Sequence, residues 1–372
     1  MREYIFVFGR DPELSFAEIV SYFISRNMVY EIKGHNKEVA VFLLNEKEFK
    51  VNKIISDLGG CVKIGIVISE GDFNDLMPYD GFKSNIKYGM SSYGDDYLRN
   101  DFEVYLKKWF KEQKIRAQYK KRSNKTLDPR DVSGDMLEFL LYGRYVAKVV
   151  ARSNPSEYKK RDLERPVNDF MKNTSIRLSK ILVNLSQVKK DELLLDPFCG
   201  TGVILQEAML IGSNVVGVDI DEKSAKISQK NCDWINKHYN IKKGFRLFKG
   251  NATNLASYFS RGSVDAVASE PYMGPFLKNN PTNIEALKIS RELEVLYSDF
   301  LKSLRPILRS GRKLVLIVPV FRVNNKKKVK FDFDSMLETA NFKIADLGSE
   351  IKFPLVYADQ KSKIEREIYV LE

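Results

Sequence analysis

The stretch LLLDPFCGTGVILQEA, residues 193–208, decides the fold class of the C-terminal half. An apolar run of strand length ends at Asp196, a turn with Gly200 and Gly202 follows, and an apolar helix is predicted from Val203. Ligands bind where the strands of a parallel sheet end, and glycines let the backbone approach them closely. The stretch has neither the Lys-Ser/Thr pair of a Walker loop nor the G-x-G-x-x-G spacing of a dinucleotide site. It therefore predicts another kind of ligand, with a cationic or polar group that suits Asp196.

Strands and helices alternate through the rest of this half. That order predicts an α/β fold with a doubly wound parallel sheet, which we assign to residues 181–372. Asp219 ends the second predicted strand, where an acidic side chain commonly binds ribose hydroxyls. Asp221 is predicted to cap the next helix. Asn251 ends the third strand, either as a hydrogen-bond partner for an adenine edge or as a turn residue.

The N-terminal half predicts two small α+β domains. Residues 1–70 have the order strand, helix, strand, strand, helix, strand, which is the ferredoxin-like arrangement. Residues 71–156 predict a further helix and several strands, and we interpret residues 157–180 as a linker.

Composition limits the function classes. The formal net charge is +12, which favours a polyanionic partner, nucleic acid first. Three scattered cysteines and two isolated histidines argue against a disulfide framework, a metal site and a Ser/His/Asp or Cys/His nucleophile system. No apolar run is long enough for a membrane helix or a signal peptide, so we expect a cytoplasmic location and no membrane contact.

Basic residues recur with interleaved tyrosines between residues 116 and 160. A solvated loop is one interpretation. Contact with a phosphate backbone is the other, because such contact needs positive charge and no base readout. The candidate RNA-binding residues are Lys120, Lys121, Arg122, Lys125, Arg130, Arg152, Lys159 and Lys160.

These motifs together resemble the THUMP-containing tRNA guanosine-10 N2-methyltransferases of the archaeal and eukaryotic type. The resemblance rests on FGRDPELSFAEI (8–19), SEYKKRDLERP (156–166), RLSKILVNLS (177–186) and the extended stretch 193–221. It implies a ferredoxin-like domain, a THUMP domain that holds tRNA at residues 71–156, and a Rossmann-like methyltransferase domain. It also implies S-adenosylmethionine as cofactor. By the resemblance the cofactor-binding residues are Asp196, Phe198, Cys199, Gly200, Thr201, Gly202, Asp219, Ile220, Asn251 and Ala252; at Asn251 the family usually has an acidic residue.

The stretch VDAVASEPYMGP, residues 264–275, departs from the family. An Asp or Asn, two prolines and an aromatic residue normally follow this strand, whereas this chain has Ser269, Glu270, Pro271 and Tyr272. Either Ser269 is the first motif residue, or Glu270 takes the Asp position with one proline deleted; strand length favours Glu270. In both alignments the acceptor binds the N–H of a guanine 2-amino group and Tyr272 stacks on a flipped-out base.

The expected function is N2-methylation of a guanosine in tRNA, at position ten by the resemblance alone. The alternatives are the same chemistry on another tRNA or rRNA guanosine, the same on an adenine amine, or a non-catalytic tRNA-binding protein that keeps the cofactor fold. The expected partner is tRNA, and we expect a monomer. A small activating subunit is compatible with the sequence but not required by it.

Overall fold

A computed structural model describes residues 1–45, 50–95, 97–120, 126–127, 136–168, 174–323, 327–357 and 362–372. The chain divides into two compact units. One comprises residues 1–16 and 27–154, and the other comprises residues 17–26 and 155–372. Among the described residues no helix is long and apolar enough to cross a membrane, and no group of His, Cys, Asp and Glu side chains could hold a metal ion.

The first unit is built around one eight-stranded sheet of order β2-β3-β1-β4-β8-β7-β5-β6. β1 pairs antiparallel with both β3 and β4, and β2 with β3, which is the pairing of a split βαβ arrangement. The elements of residues 1–154 are β1 (Arg2–Phe8), α1 (Pro12–Ser25), β2 (Tyr30–His35), β3 (Val39–Leu44), α2 (Val51–Asp57), β4 (Cys61–Ser69), β5 (Asn85–Ser92), α3 (Leu98–Glu112), β6 (Arg116–Tyr119), β7 (Leu137–Tyr142) and β8 (Tyr145–Arg152). Most of α1, from Ala17 onward, belongs to the second unit.

The two domains predicted for residues 1–70 and 71–156 share this sheet. β4 pairs with β8 along most of its length, so backbone hydrogen bonds run across the boundary placed at residue 70. A sequence boundary drawn at a polar loop misses such pairing, because the partner strand lies some eighty residues further along the chain.

The second unit contains an eight-stranded sheet, in which seven strands have the order β11-β10-β9-β12-β13-β16-β15 and β14 pairs antiparallel with β13 outside that order. The first five strands of that order run parallel, so the predicted Rossmann-like sheet is confirmed. β16 runs antiparallel to β13 and forms a terminal hairpin with β15. The elements are α4 (Pro155–Glu164), α5 (Ile176–Leu185), β9 (Leu193–Asp196), α6 (Val203–Leu210), β10 (Asn214–Asp219), α7 (Glu222–His238), β11 (Phe245–Lys249), a 3₁₀ helix (Ala252–Ser257), β12 (Ala266–Ser269), α8 (Asn283–Leu304), β13 (Leu314–Arg322), β14 (Lys328–Val329), α9 (Phe333–Thr339), β15 (Leu355–Tyr357) and β16 (Ile364–Leu371).

The segment interpreted as a linker contains regular structure. Residues 155–164 form α4, and α5 begins at Ile176 after Ser175 caps its N-terminus. The Arg161 guanidinium makes two hydrogen bonds, of 2.9 and 3.0 Å, to the buried Glu207 carboxylate on α6. The polar composition that indicated a linker thus includes a charge that is buried and paired.

Strand lengths around β13 shape the edge of the second sheet. β12 pairs with β13 only from Leu314 to Leu316, whereas β16 pairs with β13 as far as Phe321. Pro319, which has no N–H to donate, lies beyond the part of β13 that β12 covers. Because Arg366 is the β16 partner of Pro319, it also lies past the end of β12.

The buried ion pair of the first unit gives a stability prediction. The Lys63 ammonium lies 2.5 Å from the Glu138 carboxylate, which also accepts hydrogen bonds from Ser91 and Arg152. Glu138→Gln keeps the side-chain volume but leaves Lys63 buried without a counter-charge. We expect the free energy of unfolding to fall by about 3–5 kcal/mol. The hydrogen-exchange rates of the β4 and β7 backbone amides measure the stability of this sheet directly.

The control is Lys107→Ala, which removes an exposed pair with Glu103 on α3. It should cost about 0.3–0.5 kcal/mol. An equal, small effect of both substitutions would contradict the role given to the buried pair.

Candidate active site

Three polar residues meet at one edge of the second sheet because their strands are parallel neighbours. β9 pairs with β10 on one side and with β12 on the other. Their C-terminal residues are Asp196, Asp219 and Ser269. The carboxyl ends of these strands are where an open α/β sheet binds ligands.

The glycine turn after β9 requires its glycines. Gly200 has φ +51° and Gly202 has φ +80°, both in the left-handed region. A Cβ on Gly202 would lie 2.3 Å from the Ser228 Oγ and 3.2 Å from the Ser228 Cβ, so no side chain fits. A Cβ on Gly200 would meet nothing within 4 Å. Gly200 therefore presents bare backbone to open space, and Gly202 lets α6 start directly behind it.

Asp219 is oriented by two backbone donors. Its Oδ2 accepts a hydrogen bond of 2.8 Å from the Gly200 N–H, and its Oδ1 one of 2.9 Å from the Asp221 N–H. Asp221 in turn caps α7 by accepting from the Lys223 N–H, as the sequence predicted. The adjacent Ile220 side chain is 71 % exposed. Asp219 thus offers a fixed carboxylate beside an exposed apolar side chain.

Asn251 has a local structural role. Its side-chain oxygen accepts from the Thr253 N–H at 3.0 Å and caps the 3₁₀ helix that begins at Ala252. The sequence allowed Asn251 to be either an adenine contact or a turn residue, and this hydrogen bond supports the role of a turn residue. Asn251 and Ala252 nevertheless line the same cleft as Asp219.

Asp196 is almost fully buried, with 2 % of its surface exposed. Its Oδ1 accepts hydrogen bonds from the Ser269 hydroxyl at 2.7 Å and from the Phe198 N–H at 3.2 Å. Burial raises the pKa of the Asp196 carboxyl to about 7, and the hydrogen bonds only partly oppose this. A cation placed beside Asp196 would favour its ionised form.

The other members of the turn contribute mainly backbone. Cys199 and Thr201 are buried, and burial raises the pKa of the Cys199 thiol, which disfavours its nucleophilic thiolate form. The Phe198 ring packs edge-on against Phe300, with ring centroids 5.2 Å apart. Phe198 thus packs the turn against α8, and all three residues line the same cleft as Asp219.

Ser269 and Glu270 point to different places. Ser269 is fully buried and its hydroxyl donates to Asp196. The Glu270 side chain is 13 % exposed; its Oε1 accepts from the Arg366 Nε at 2.7 Å and its Oε2 accepts from the Thr174 hydroxyl. Glu270, and not Ser269, lines the cleft.

A cleft of about 990 Å³ joins these residues. Besides the glycine turn, Asp219 and Glu270, its lining includes the buried Pro271 and two exposed aromatic side chains. Tyr272 is 56 % exposed and Phe276 is 74 % exposed. The cleft thus has carboxylates at its base and aromatic rings at its rim.

Sequence reasoning missed Thr174 and Arg366. Each lies 96 residues from Glu270 along the chain, and neither belongs to a local motif. Thr174 precedes the helix cap Ser175, and Arg366 lies in the terminal hairpin. No sequence signal identified them, because only the tertiary structure brings Thr174 and a side chain of β16, which is separated from β12 by β13, to Glu270.

The described basic candidates are divided between the two units. Lys120 and Arg152 belong to the first unit, whereas the exposed Lys159 and Lys160 lie on α4 in the second. Arg152 donates to the buried Glu138, so this side chain stabilises the sheet. Lys121, Arg122, Lys125 and Arg130 lie outside the described residues.

Family models match two parts of the chain. An RMKL-like methyltransferase domain matches residues 165–327, and a DNA methylase model, N6_N4_Mtase, matches residues 26–230. The second match spans more than half of the chain, which establishes the family.

Relatives and a solved structure are consistent with these matches. The tRNA (guanine(10)-N2)-dimethyltransferase of Methanothermobacter thermautotrophicus is 35% identical over 39% of this chain and 38% of its own length. The enzyme of the same name from Pyrococcus abyssi is 27% identical over 53% of this chain and 49% of its own. The matches thus span less than half of either relative. The crystal structure of TrmN from Thermus thermophilus, 15% identical, aligns over 100% of this chain and 99% of that one with a TM-score of 0.50, which shows the fold.

Gly202→Ala tests the glycine turn. The substitution forces an alanine into the left-handed backbone conformation, which costs about 1–2 kcal/mol of stability. It also creates a clash with Ser228, which costs about 1–3 kcal/mol. We expect it to lower the melting temperature at least twice as much as Gly262→Ala. Gly262 has φ +62° but open space around its Cβ, so it controls for backbone strain alone. Equal shifts in the two variants would show that Ser228 does not restrict the turn.

Proposed function

Because this chain belongs to the DNA methylase family and carries an RMKL-like methyltransferase domain, we propose that it methylates the 2-amino group of a guanosine in tRNA. The observation that carries the proposal is the cleft, in which a glycine turn, a ribose-type carboxylate, a cleft-facing acceptor and an exposed aromatic ring meet. The relatives named for guanine-10 N2 chemistry support tRNA as the substrate and position ten as the target.

S-adenosylmethionine fits the donor set of the cleft. The open backbone at Gly200 leaves room for close approach, and the oriented Asp219 carboxylate suits ribose hydroxyls. Ile220 offers an apolar surface, and Asp196 offers a carboxyl beside which a sulfonium or ammonium cation would be stabilised. When bound, this cofactor supplies an electrophilic methyl group.

Glu270 and Tyr272, from the stretch 269–272 that departs from the family, would act on the base. The lone pair of the guanine 2-amino group is delocalised into the ring, so the amine is a poor nucleophile. An acceptor that holds one N–H lets the nitrogen pyramidalise, and fixed positioning then provides in-line attack. Glu270 is that acceptor in our proposal, since Ser269 is buried against Asp196. Tyr272 stacks the flipped-out base at the rim.

The front half would supply tRNA affinity. The formal net charge of +12 favours a polyanion, and phosphate contacts by point charges give affinity without sequence readout. We propose that residues 71–156 hold tRNA and that Lys159 and Lys160 contribute contacts from α4.

Methyl transfer to unmodified tRNA transcripts tests the function. We expect N2-methylguanosine in wild-type reactions, identified by nucleoside mass spectrometry. Glu270→Ala should lower kcat by about 10²–10³, the usual cost of removing a positioned hydrogen-bonding group. Ser269→Ala should be milder and should act through Asp196. Wild-type protein that binds cofactor and tRNA without transfer would instead identify a binding protein.

Cofactor affinity should depend on pH through Asp196. Below about pH 7 the buried Asp196 carboxyl is protonated, and above that pH it is ionised. A cationic cofactor stabilises the ionised form, so affinity should rise as pH increases from 6 and level off above about 7. Calorimetry with S-adenosylmethionine at several pH values measures this. Asp196→Asn should remove the dependence; a wild-type affinity that is constant from pH 6 to 8 would contradict it.

A further inference from the structure

We infer that Glu270 and Arg366 act as a pair that reads the Watson–Crick edge of the target base and selects guanine over adenine. The inference rests on the proposed function and assigns its base specificity to two residues that are 96 positions apart. Both line the cleft with Tyr272, and the Arg366 Nε lies 2.7 Å from the Glu270 Oε1.

The free hydrogen-bonding positions of the pair suit guanine. A carboxylate only accepts hydrogen bonds, at about four lone-pair positions, and Thr174 and Arg366 occupy two of them on Glu270. Arg366 uses its Nε for Glu270. Its Nη groups make no hydrogen bond to any residue that the structure describes, and its side chain is 29 % exposed. The pair therefore presents acceptors and donors side by side.

Guanine presents the complementary sequence of groups. Its N1–H and 2-amino group are adjacent donors, and O6 beside them is an acceptor. Glu270 can accept from the N1–H and from one 2-amino hydrogen, while an Arg366 Nη group donates to O6. The Glu270 carboxylate thus has two roles: it positions the reacting 2-amino group, and it recognises guanine by accepting from the N1–H.

Adenine reverses this pattern at two positions. Its N1 carries a lone pair, which would face the Glu270 carboxylate, and its 6-amino group would face the Arg366 donors. A site built to bind substrate N–H groups rejects an analogue that lacks them strongly, by about 10⁴-fold, since its buried polar groups are then left unpaired. A shape-selective aromatic clamp alone would discriminate far less, because every base has a π face.

The strand lengths explain why the pair forms. β12 ends at Ser269, opposite Leu316, whereas β13 and β16 continue past it. Arg366 lies opposite Pro319 and is held by strands on both sides, since β16 also pairs with β15 at Tyr357. A guanidinium on a central strand is a rigid donor, as a specificity contact requires.

Base analogues at the methylated position test the inference. 2-Aminopurine and 2,6-diaminopurine keep the reacting 2-amino group but lack N1–H, and the first also lacks a group at position 6. Transcripts carrying guanine, 2-aminopurine or 2,6-diaminopurine are compared by kcat/KM. We expect wild-type protein to prefer guanine over either analogue by at least 100-fold.

Two substitutions should change that ratio. Glu270→Gln supplies an amide that donates to the analogue N1 and accepts from the 2-amino group, so the preference for guanine over 2,6-diaminopurine should fall at least tenfold. Arg366→Gln should lower activity on guanine more than on 2-aminopurine, which has no O6 to lose. Calorimetry with S-adenosylmethionine checks that each variant keeps its cofactor site.

Arg322→Gln is the matched control. Arg322 pairs through its Nε with Glu365 at 2.7 Å, and its side chain is 25 % exposed, close to the values for Arg366 and Glu270. Arg322 does not line the cleft among the described residues. Its substitution should affect stability but leave the base ratio unchanged.

The outcomes separate the two proposals. If wild-type protein methylates guanine and the Glu270 and Arg366 variants lose activity equally on all three bases, the pair only supports the site and the inference is overturned. If wild-type protein methylates no guanosine, the proposed function fails and the inference fails with it. Changed ratios with an unchanged Arg322→Gln control support the pair as the specificity element.

Discussion

A single buried hydrogen bond, from the Ser269 hydroxyl to the Asp196 carboxyl, connects the two halves of the candidate site. It joins the ends of two neighbouring parallel strands, one leading into the glycine turn and the other into the divergent motif. Because Ser269 is turned inward by this contact, the next residue is directed into the cleft. Glu270 rather than Ser269 faces the cleft because the buried Asp196 carboxyl accepts a hydrogen bond from the Ser269 hydroxyl.

The site gathers acidic groups and compensates each differently. Asp219 is stabilised by backbone N–H groups, Glu270 by Arg366 and Thr174, and Asp196 by Ser269 and Phe198 against a large desolvation cost. The charges of Asp219 and Glu270 add to that cost and raise the pKa of Asp196 further. Such a concentration of negative charge with open space beside it favours a cationic ligand, which is the electrostatic character of a sulfonium cofactor.

Charge alone was a less specific guide than strand ends. Of the described basic candidates, Arg152 is committed to buried Glu138, while Lys159 and Lys160 lie on a helix where a linker was predicted. A run of lysines and arginines does not distinguish a ligand-facing cation from one that neutralises a buried carboxylate, because both have the same sequence signature. Strand ends are more informative, since parallel neighbours necessarily bring their C-terminal residues to one edge.

The sequence by itself determined the α/β class, the glycine turn, the Asp219 position and the helix cap at Asp221, because periodicity and local turn chemistry are written in adjacent residues. It also narrowed the acceptor to Ser269 or Glu270. Only the tertiary structure decided that strands β1–β8 share one sheet, that Ser269 is buried, and that Thr174 and Arg366 flank Glu270. Those features depend on which strands become neighbours and how far each extends past the next, and contacts across 96 residues leave no local pattern to read.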